Sequence, residues 1–285
     1  QNGKNCKSSV ITYLDRVCIS AAAPSIREEL HLSLSQMGWV FSAFTFAYAA
    51  FEVPAGWLGD LIGPRKVLAR IVVWWSAFTV ATGFAGKFSS LLVIRFLFGA
   101  GEAGAFPNAS KAFSRWFPVE ERGRAHGILF MGTRIGGALA PPLIVLLIEA
   151  LGWREAFWIF GALGIVWALF WWTWFRDDPS QHPSVNAAEL SHIRQGLSEI
   201  DVISHRKPLW NHIFRSRNLF CLCLMYFCLG YGLYFYLTWL PTYFKEARGF
   251  SLKSAGLLTG LTLLTGAVAN MIGGVWTDRL SRRYG

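Results

Sequence analysis

Apolar residues fall into eight long runs separated by short charged segments. Three of the runs, 156–175, 219–244 and 254–277, contain no Asp, Glu, Lys or Arg. At about 20 residues or more each they match the hydrocarbon thickness of a bilayer, whereas a buried helix of a soluble protein is nearer 10 to 14. Run 35–58 carries only Glu52, and run 67–86 only Arg70 near its start. Runs 89–111 and 124–148 contain Arg95 with Glu102 and Arg134, respectively, and charges at that depth have to face a protein interior or a wet cavity. The first run, 10–26, is short and holds Asp15 and Arg16 near its beginning. A full span there needs more apolar residues before Tyr13, so the first helix reads as truncated.

With the N-terminus inside, eighteen Lys and Arg residues fall in inner segments and six in outer loops, while Arg16, Arg95 and Arg134 remain in the membrane. That bias predicts both ends on the cytoplasmic side. The one long hydrophilic stretch, 176–218, opens with RDDPSQHP and continues through a helical-looking NAAELSHIRQGL. It reads as a solvated linker, and its histidines (His182, His192, His205, His212) have no metal-ligand spacing. The expected organisation is a six-helix bundle over 1–175, a cytoplasmic linker over 176–218, and the first two helices of an incomplete second bundle over 219–285.

Composition sharpens this picture. Hydrophobic residues make up 53% of the chain and charged ones only 15%, against about 25% charged in a soluble domain. Tryptophans gather near the ends of the apolar runs, where a membrane interface favours amphipathic rings. The net charge of +10 is not a nucleic-acid footprint, because the basic residues sit in short loops instead of forming a stripe with interleaved aromatics. Of five cysteines, Cys18, Cys221, Cys223 and Cys228 lie inside apolar runs. No zinc or disulfide spacing emerges, so they read as packing residues. No cleavable signal peptide is legible. No paired nucleophile and base, metal-ligand set or phosphate-cradling glycine loop is present, so neither an enzyme nor a cofactor or metal is expected.

Two segments carry a repeat. After the second run comes GWLGDLIGPRK (56–66), in which small residues permit close helix contact and Asp60 and Arg65 bracket a tight turn. Gly274, Asp278 and Arg283 repeat the spacing of Gly56, Asp60 and Arg65 after the eighth run. One such match is weak; two, six spans apart, point to a six-plus-six internal repeat. The fourth run reads RFLFGAGEA (95–103). Its Arg95 and Glu102 are almost two helical turns apart, on one face, with about 10 Å of rise between them.

These motifs, together with YLDRVCISAAAPSI (13–26), FEVPAGWLGD (51–60) and YLTWLPTYFKEARG (236–249), resemble the major facilitator superfamily. Within it they look like the anion:cation symporter family, whose bacterial members import hexuronates, glucarate, galactonate and similar acids. The resemblance runs from Tyr13 to the last residue. It implies an all-α polytopic membrane protein with a partial major facilitator fold, about eight of twelve transmembrane helices. The 56–66 stretch matches the superfamily's signature, and 95–103 a pattern often seen in proton-coupled members.

Carried over residue by residue, the resemblance implies Asp15 and Glu102 as proton carriers and Arg16 as the anchor of a substrate carboxylate. A guanidinium offers a planar, permanently charged fork that suits that role. Tyr13 and Tyr48 match aromatic positions that contact a polyol, Arg95 is the family's fourth-span arginine, and Arg134 adds to the charge of the cavity. Gly56, Asp60, Gly63, Arg65 and Lys66, with Asp278 and Arg283, match the gating motif. Two features depart from pattern: GTRIGGALAPPL (132–143) lacks the Gly-Pro arrangement of drug antiporters, and Asp60's expected partner on an eleventh helix has no counterpart here. The expected function is proton-coupled symport of a small organic anion such as a sugar acid, by a monomer in a bacterial inner membrane. Alternatives are an aromatic acid or another solute, acid exchange, or a non-transporting truncated paralogue or sensor.

Overall fold

The computed structural model describes residues 6–194 and 215–284, with the side chains of 6–17, 267, 270, 271, 273–275 and 277–284 outside that description. Among the described residues the secondary structure is helical throughout. In chain order the helices are α1 (Cys6–Leu30), α2 (Leu34–Ile62), α3 (Pro64–Gly83), α4 (Phe88–Glu102), α5 (Ala105–Trp116), α6 (Val119–Leu151), α7 (Trp153–Trp174), α8 (Ala187–Arg194), α9 (Arg217–Thr242) and α10 (Leu252–Tyr284). A π turn at Tyr243–Ala247 extends α9. Four stretches, Phe88–Trp116, Val119–Leu151, Trp153–Trp174 and Arg217–Ala247, are long and apolar enough to cross a membrane on length and hydropathy alone. The other four expected spans fall on α1, α2, α3 and α10.

Local chemistry sets the helix ends. Ser33 caps α2 through a reciprocal box: the Gln36 amide donates to Ser33 Oγ at 3.1 Å, and the Ser33 amide donates to Gln36 Oε1 at 2.8 Å. Gly63 stops α2 at φ 86°, a left-handed angle that costs glycine nothing, and Pro64 starts α3. The expected fourth span, 89–111, is one path but two helices. It breaks at Ala103–Gly104, where Gly104 has φ 83° and a Cβ would lie 3.0 Å from the backbone carbon of Ala55. Ala55 packs where a Cβ of Gly104 would lie, and Pro107 denies the Ala103 carbonyl its helical amide partner, so both contribute to the break.

Small residues bring the helices together. In α7, a Cβ at Gly161 would meet the Ser76 carbonyl at 2.8 Å, so α3 and α7 pack backbone to backbone in the manner favoured inside bilayers. Ala21, Ala22 and Ala23 of α1 are fully buried in the largest core cluster, alongside Ala140, Ile144 and Val145 of α6. Large apolar side chains such as Val53, Phe84 and Val166 are instead strongly exposed, as lipid-facing positions require, whereas the exposed Phe46 and Phe227 line an open cleft between α2 and α9.

The start of the expected solvated linker is solvated only in part: Ser180, Gln181, Pro183 and Ser184 are exposed, but Pro179 and His182 are not. His182 is buried between Trp116 and Trp174, with ring centroids 5.4 and 5.6 Å away, and the Trp116 indole donates to the Arg176 carbonyl at 2.9 Å. Indoles of α5 and α7 leave a slot of imidazole size, which fixes the chain as it leaves α7. Of the other histidines, His192 lies on α8, whereas His205 and His212 lie outside the described residues.

The helices α9 and α10 meet the preceding six-helix unit at one end. Trp239 packs on Gly38 and edge-on against Phe41, at 5.4 Å between ring centroids. A Cβ at Gly256 would reach Val145, and one at Gly260 would lie 2.6 Å from the Ala138 carbonyl. Toward the other end, where Gly63 lies, the first half of α9 is almost wholly exposed.

Candidate functional site

Two charged side chains are buried on α4. Arg95 is 2% exposed and Glu102 1% exposed. Gly99, between them, allows the α2 backbone to close over the helix, because a Cβ there would lie 3.1 Å from the Phe44 carbonyl carbon. The guanidinium of Arg95 sits 4.3 Å from the Phe98 ring centroid and 5.0 Å from that of Phe44. Desolvated cation–π contacts of this kind are worth about 2 kcal/mol. The Phe44 ring is in turn 5.8 Å from that of Tyr48, which is also buried. Ring contacts thus link Arg95 through Phe44 to Tyr48 between α2 and α4, and Glu102 is buried about two turns further along α4. Arg134 is half-buried on α6. Tyr13, Asp15 and Arg16 lie on α1, about one turn before the buried Cys18, Ile19 and Ser20, and their side chains lie outside the described residues.

The glycines of 56–66 are an interlock. A Cβ at Gly56 would lie 3.3 Å from that of Pro107, and one at Gly59 would overlap the carboxamide of Asn108. Asn108 is buried and donates to the carbonyls of Ala55 at 3.0 Å and Gly104 at 2.8 Å. Asp60 forms an ion pair with Lys111 of α5, so within this chain it has a partner in its own bundle. Beside Gly63, the Asp177 carboxylate accepts from the Arg65 backbone amide at 2.9 Å and lies 3.4 Å from the Arg115 guanidinium. Arg65 itself donates to the Trp172 carbonyl at 2.5 Å and covers that indole at 4.7 Å. Lys66 is exposed, and the side chains of Asp278 and Arg283 lie outside the described residues. Asn108, Lys111 and Asp177 were not singled out by the sequence reading. The one available signal was their place at the same end of the spans as Asp60 and Arg65.

At the other end, charges tie α1 in two directions. The Glu29 carboxylate accepts from Arg154 Nη2 at 2.7 Å and from the Trp153 indole at 2.5 Å, while Arg154 also donates to the carbonyls of Gly83 and Ala85 at 2.7 and 3.0 Å. The Arg154 hydrogen bond first, and the Trp153 bond second, hold the Glu29 carboxyl below its usual range. Across to the segment that follows α9, Arg27 pairs with Glu246, and Lys245 lies 3.6 Å from Glu28.

The family model described as Major Facilitator Superfamily matches residues 8–284. The chain is 45% identical over 283 residues to a probable sulfoacetate transporter, SauU, of Cupriavidus necator, covering 99% of this chain and 65% of that protein. It is 35% identical over 277 residues to a probable L-galactonate transporter of Escherichia coli, covering 96% and 60%, respectively. The chain therefore spans less than two thirds of the length of these curated relatives. Among solved structures, a bacterial homologue of the human lysosomal transporter Spinster, in an inward-facing and unoccupied conformation, superposes with a TM-score of 0.78 at 22% identity, covering 98% of this chain and 62% of that one. That likeness carries the fold. The relatives are named as transporters of organic anions and not as enzymes, in agreement with the two signature segments, and this all-helical membrane chain belongs to the Major Facilitator Superfamily.

Proposed function

We propose that the chain supplies the first bundle, the linker and the start of the second bundle of a proton-coupled symporter for a small organic anion. The observation that carries this reading is the burial of Arg95 and Glu102 together in a membrane-depth helix, since ionisable residues there are costly and mark substrate or proton paths. Glu102 and Asp15 carry the proton. Arg16 anchors the acid, Tyr13 and Tyr48 contact its hydroxyls, and Arg95 and Arg134 set the charge of the cavity. The turn at Gly56–Lys66 and its counterpart at Asp278 and Arg283 act as gates. Both ends face the cytoplasm of a bacterial inner membrane, and the protein works as a monomer. The contacts Arg27–Glu246 and Trp239–Phe41 close the outer side, which makes this an inward-open arrangement of an alternating-access cycle.

The cargo is a small organic acid. The sugar-acid reading draws on the relative named for L-galactonate. The higher identity to the relative named for sulfoacetate favours a second reading, a short sulfonated acid, which Arg16 and its neighbours would bind as a fork to either oxyanion. Uptake into proteoliposomes of the full-length protein, with galactonate and sulfoacetate and with or without an inward proton gradient, separates them. Glu102→Gln is expected to abolish gradient-driven accumulation while sparing exchange; normal uphill uptake by that variant overturns the proton role. Arg16→Lys is expected to weaken acid binding by roughly 1.5 to 3 kcal/mol, the range for hydrogen bonds to charged groups. Unchanged affinity in a folded Arg16→Lys protein leaves that arginine a structural partner of Asp15.

A further inference from the structure

A second cavity lies inside the first bundle, away from the buried charges. It has a volume of about 240 Å³ and sits between α3, α5, α6 and α7, with α8 as its roof. None of Arg95, Glu102, Tyr48 or Arg134 lines it. Its wall is aromatic: Trp75, Trp116, Trp167, Trp171 and Trp174 contribute five indoles, and four phenylalanines complete it. The rings are ordered by mutual stacking, with Trp171 parallel to Phe175 at 4.2 Å and to Trp167 at 5.3 Å. The roof is fixed by the buried Ile193 and by His192, whose Nε2 lies 3.6 Å from the Glu121 carboxylate.

The charge of this lining runs against that of the chain. Lys and Arg outnumber Asp and Glu by 27 to 17 overall, yet among the described residues the titratable ones on the cavity are Glu121, Glu189 and His192, with no Lys or Arg. Of the nearby arginines, Arg122 donates to the carbonyls of Ser114 and Phe117 at 2.8 and 3.2 Å, Arg115 faces Asp177, Arg194 acts on Asp178, and Arg124 lines a separate, smaller cleft on the other side of Glu121. Aromatic faces and carboxylates both attract a cation, and the first do so most strongly when it is desolvated. An organic acid is repelled by the same wall. The volume is below the roughly 300 to 1,000 Å³ of sites for drug-sized ligands, which limits the occupant to one ring or a short alkyl chain.

We propose that this cavity is a second ligand site, which takes a small organic ammonium with a single aromatic ring or short alkyl chain. The ring or chain lies among the indoles, and the ammonium lies at the mouth beside Glu121 and Glu189. Because α8 belongs to the segment joining α7 to α9, occupancy holds that segment against the first bundle. The site is independent of the transported acid.

The test uses the full-length protein in phosphatidylcholine nanodiscs and 4-bromobenzylamine, protonated at neutral pH, whose bromine quenches indole emission. Five of this chain's fourteen tryptophans line the cavity, so saturable quenching of part of the indole emission is expected. The neutral isostere 4-bromobenzyl alcohol is expected to bind roughly threefold more weakly for lack of the cation–π term. Ala112→Phe fills the cavity from α5 and is expected to remove the saturable component. Glu189→Gln, a change on the rim that leaves packing intact, is expected to weaken the amine by roughly threefold without affecting the alcohol. Galactonate or sulfoacetate is expected not to displace the amine. Equal quenching by amine and alcohol, or saturable binding that survives Ala112→Phe in a folded protein, overturns the proposal. So does an unchanged amine affinity in Glu189→Gln.

Discussion

Gly59 and Asn108 form a tight interlock in the first bundle, and a double-mutant cycle measures it. An alanine Cβ at Gly59 would overlap the Asn108 carboxamide oxygen and lie 2.8 Å from its Cγ, against a side chain that is 1% exposed and pinned by two hydrogen bonds. Overpacking of this kind costs about 1 to 3 kcal/mol. Replacing a mid-helix glycine by alanine returns about 1 kcal/mol of helix propensity, so Gly59→Ala alone is expected to lose about 1 kcal/mol. Asn108→Ala removes the two hydrogen bonds at a net 0.5 to 1.5 kcal/mol each. The Gly104 carbonyl keeps its backbone partner, the Asn108 amide at 3.1 Å, so no buried acceptor is orphaned there. In the Asn108→Ala background the overlap is gone, and Gly59→Ala becomes stabilising by about 1 kcal/mol. The coupling energy is then about 2 kcal/mol, well outside the additivity expected of distant sites. Reversible unfolding of the four proteins in mixed micelles provides the measurement. If Gly59→Ala costs the same with Asn108 and with Ala at 108, the two helices do not interlock through this contact and the reasoning fails.

Two further outcomes follow from the opposite end. Cysteines at Arg27 and Glu246, which pair across the two units, stand farther apart than a direct disulfide spans once the long side chains are gone; a bis-methanethiosulfonate reagent that bridges them is expected to arrest net uptake until reduced, read by gel mobility and transport, and a bridged protein that still transports shows that these segments need not separate. Glu29 has its carboxyl held below the ordinary value of 4.5, chiefly by the Arg154 hydrogen bond. A depressed carboxyl stabilises the fold above its unfolded value and loses that contribution as pH falls through its folded value. Because Glu29 is about half exposed, the gap in thermal stability between the native protein and Glu29→Gln is expected to stay under about 1 kcal/mol near neutrality. It should shrink below about pH 4, and a gap that widens in acid contradicts the assigned hydrogen bonds.

The four spans that recur as helices long and apolar enough to cross a membrane were legible in the sequence because partition between hydrocarbon and water acts residue by residue and needs no neighbour. Runs of uncharged residues such as 156–175 and 219–244 had to lie in lipid wherever the rest of the chain went. The turn at Gly63-Pro64 was equally local, since left-handed φ favours glycine and a helix start favours proline. The placing of Arg95 and Glu102 on one face followed from helical period alone. What the sequence could not supply was the identity of partners. Asp60 finds Lys111 at a separation of 51 residues, and the Arg65 amide finds Asp177 at 112; such pairings depend on which helices lie side by side. The break of the fourth span at Gly104 and the burial of His182 have the same origin. Position 104 has no room for a side chain because Ala55 lies where its Cβ would be, and His182 is dry because Trp116 and Trp174 come from different helices that only the packed bundle brings within reach. Partition is a property of one residue and its solvent, whereas interlock is a property of two surfaces, and only the tertiary structure brings the second surface into place.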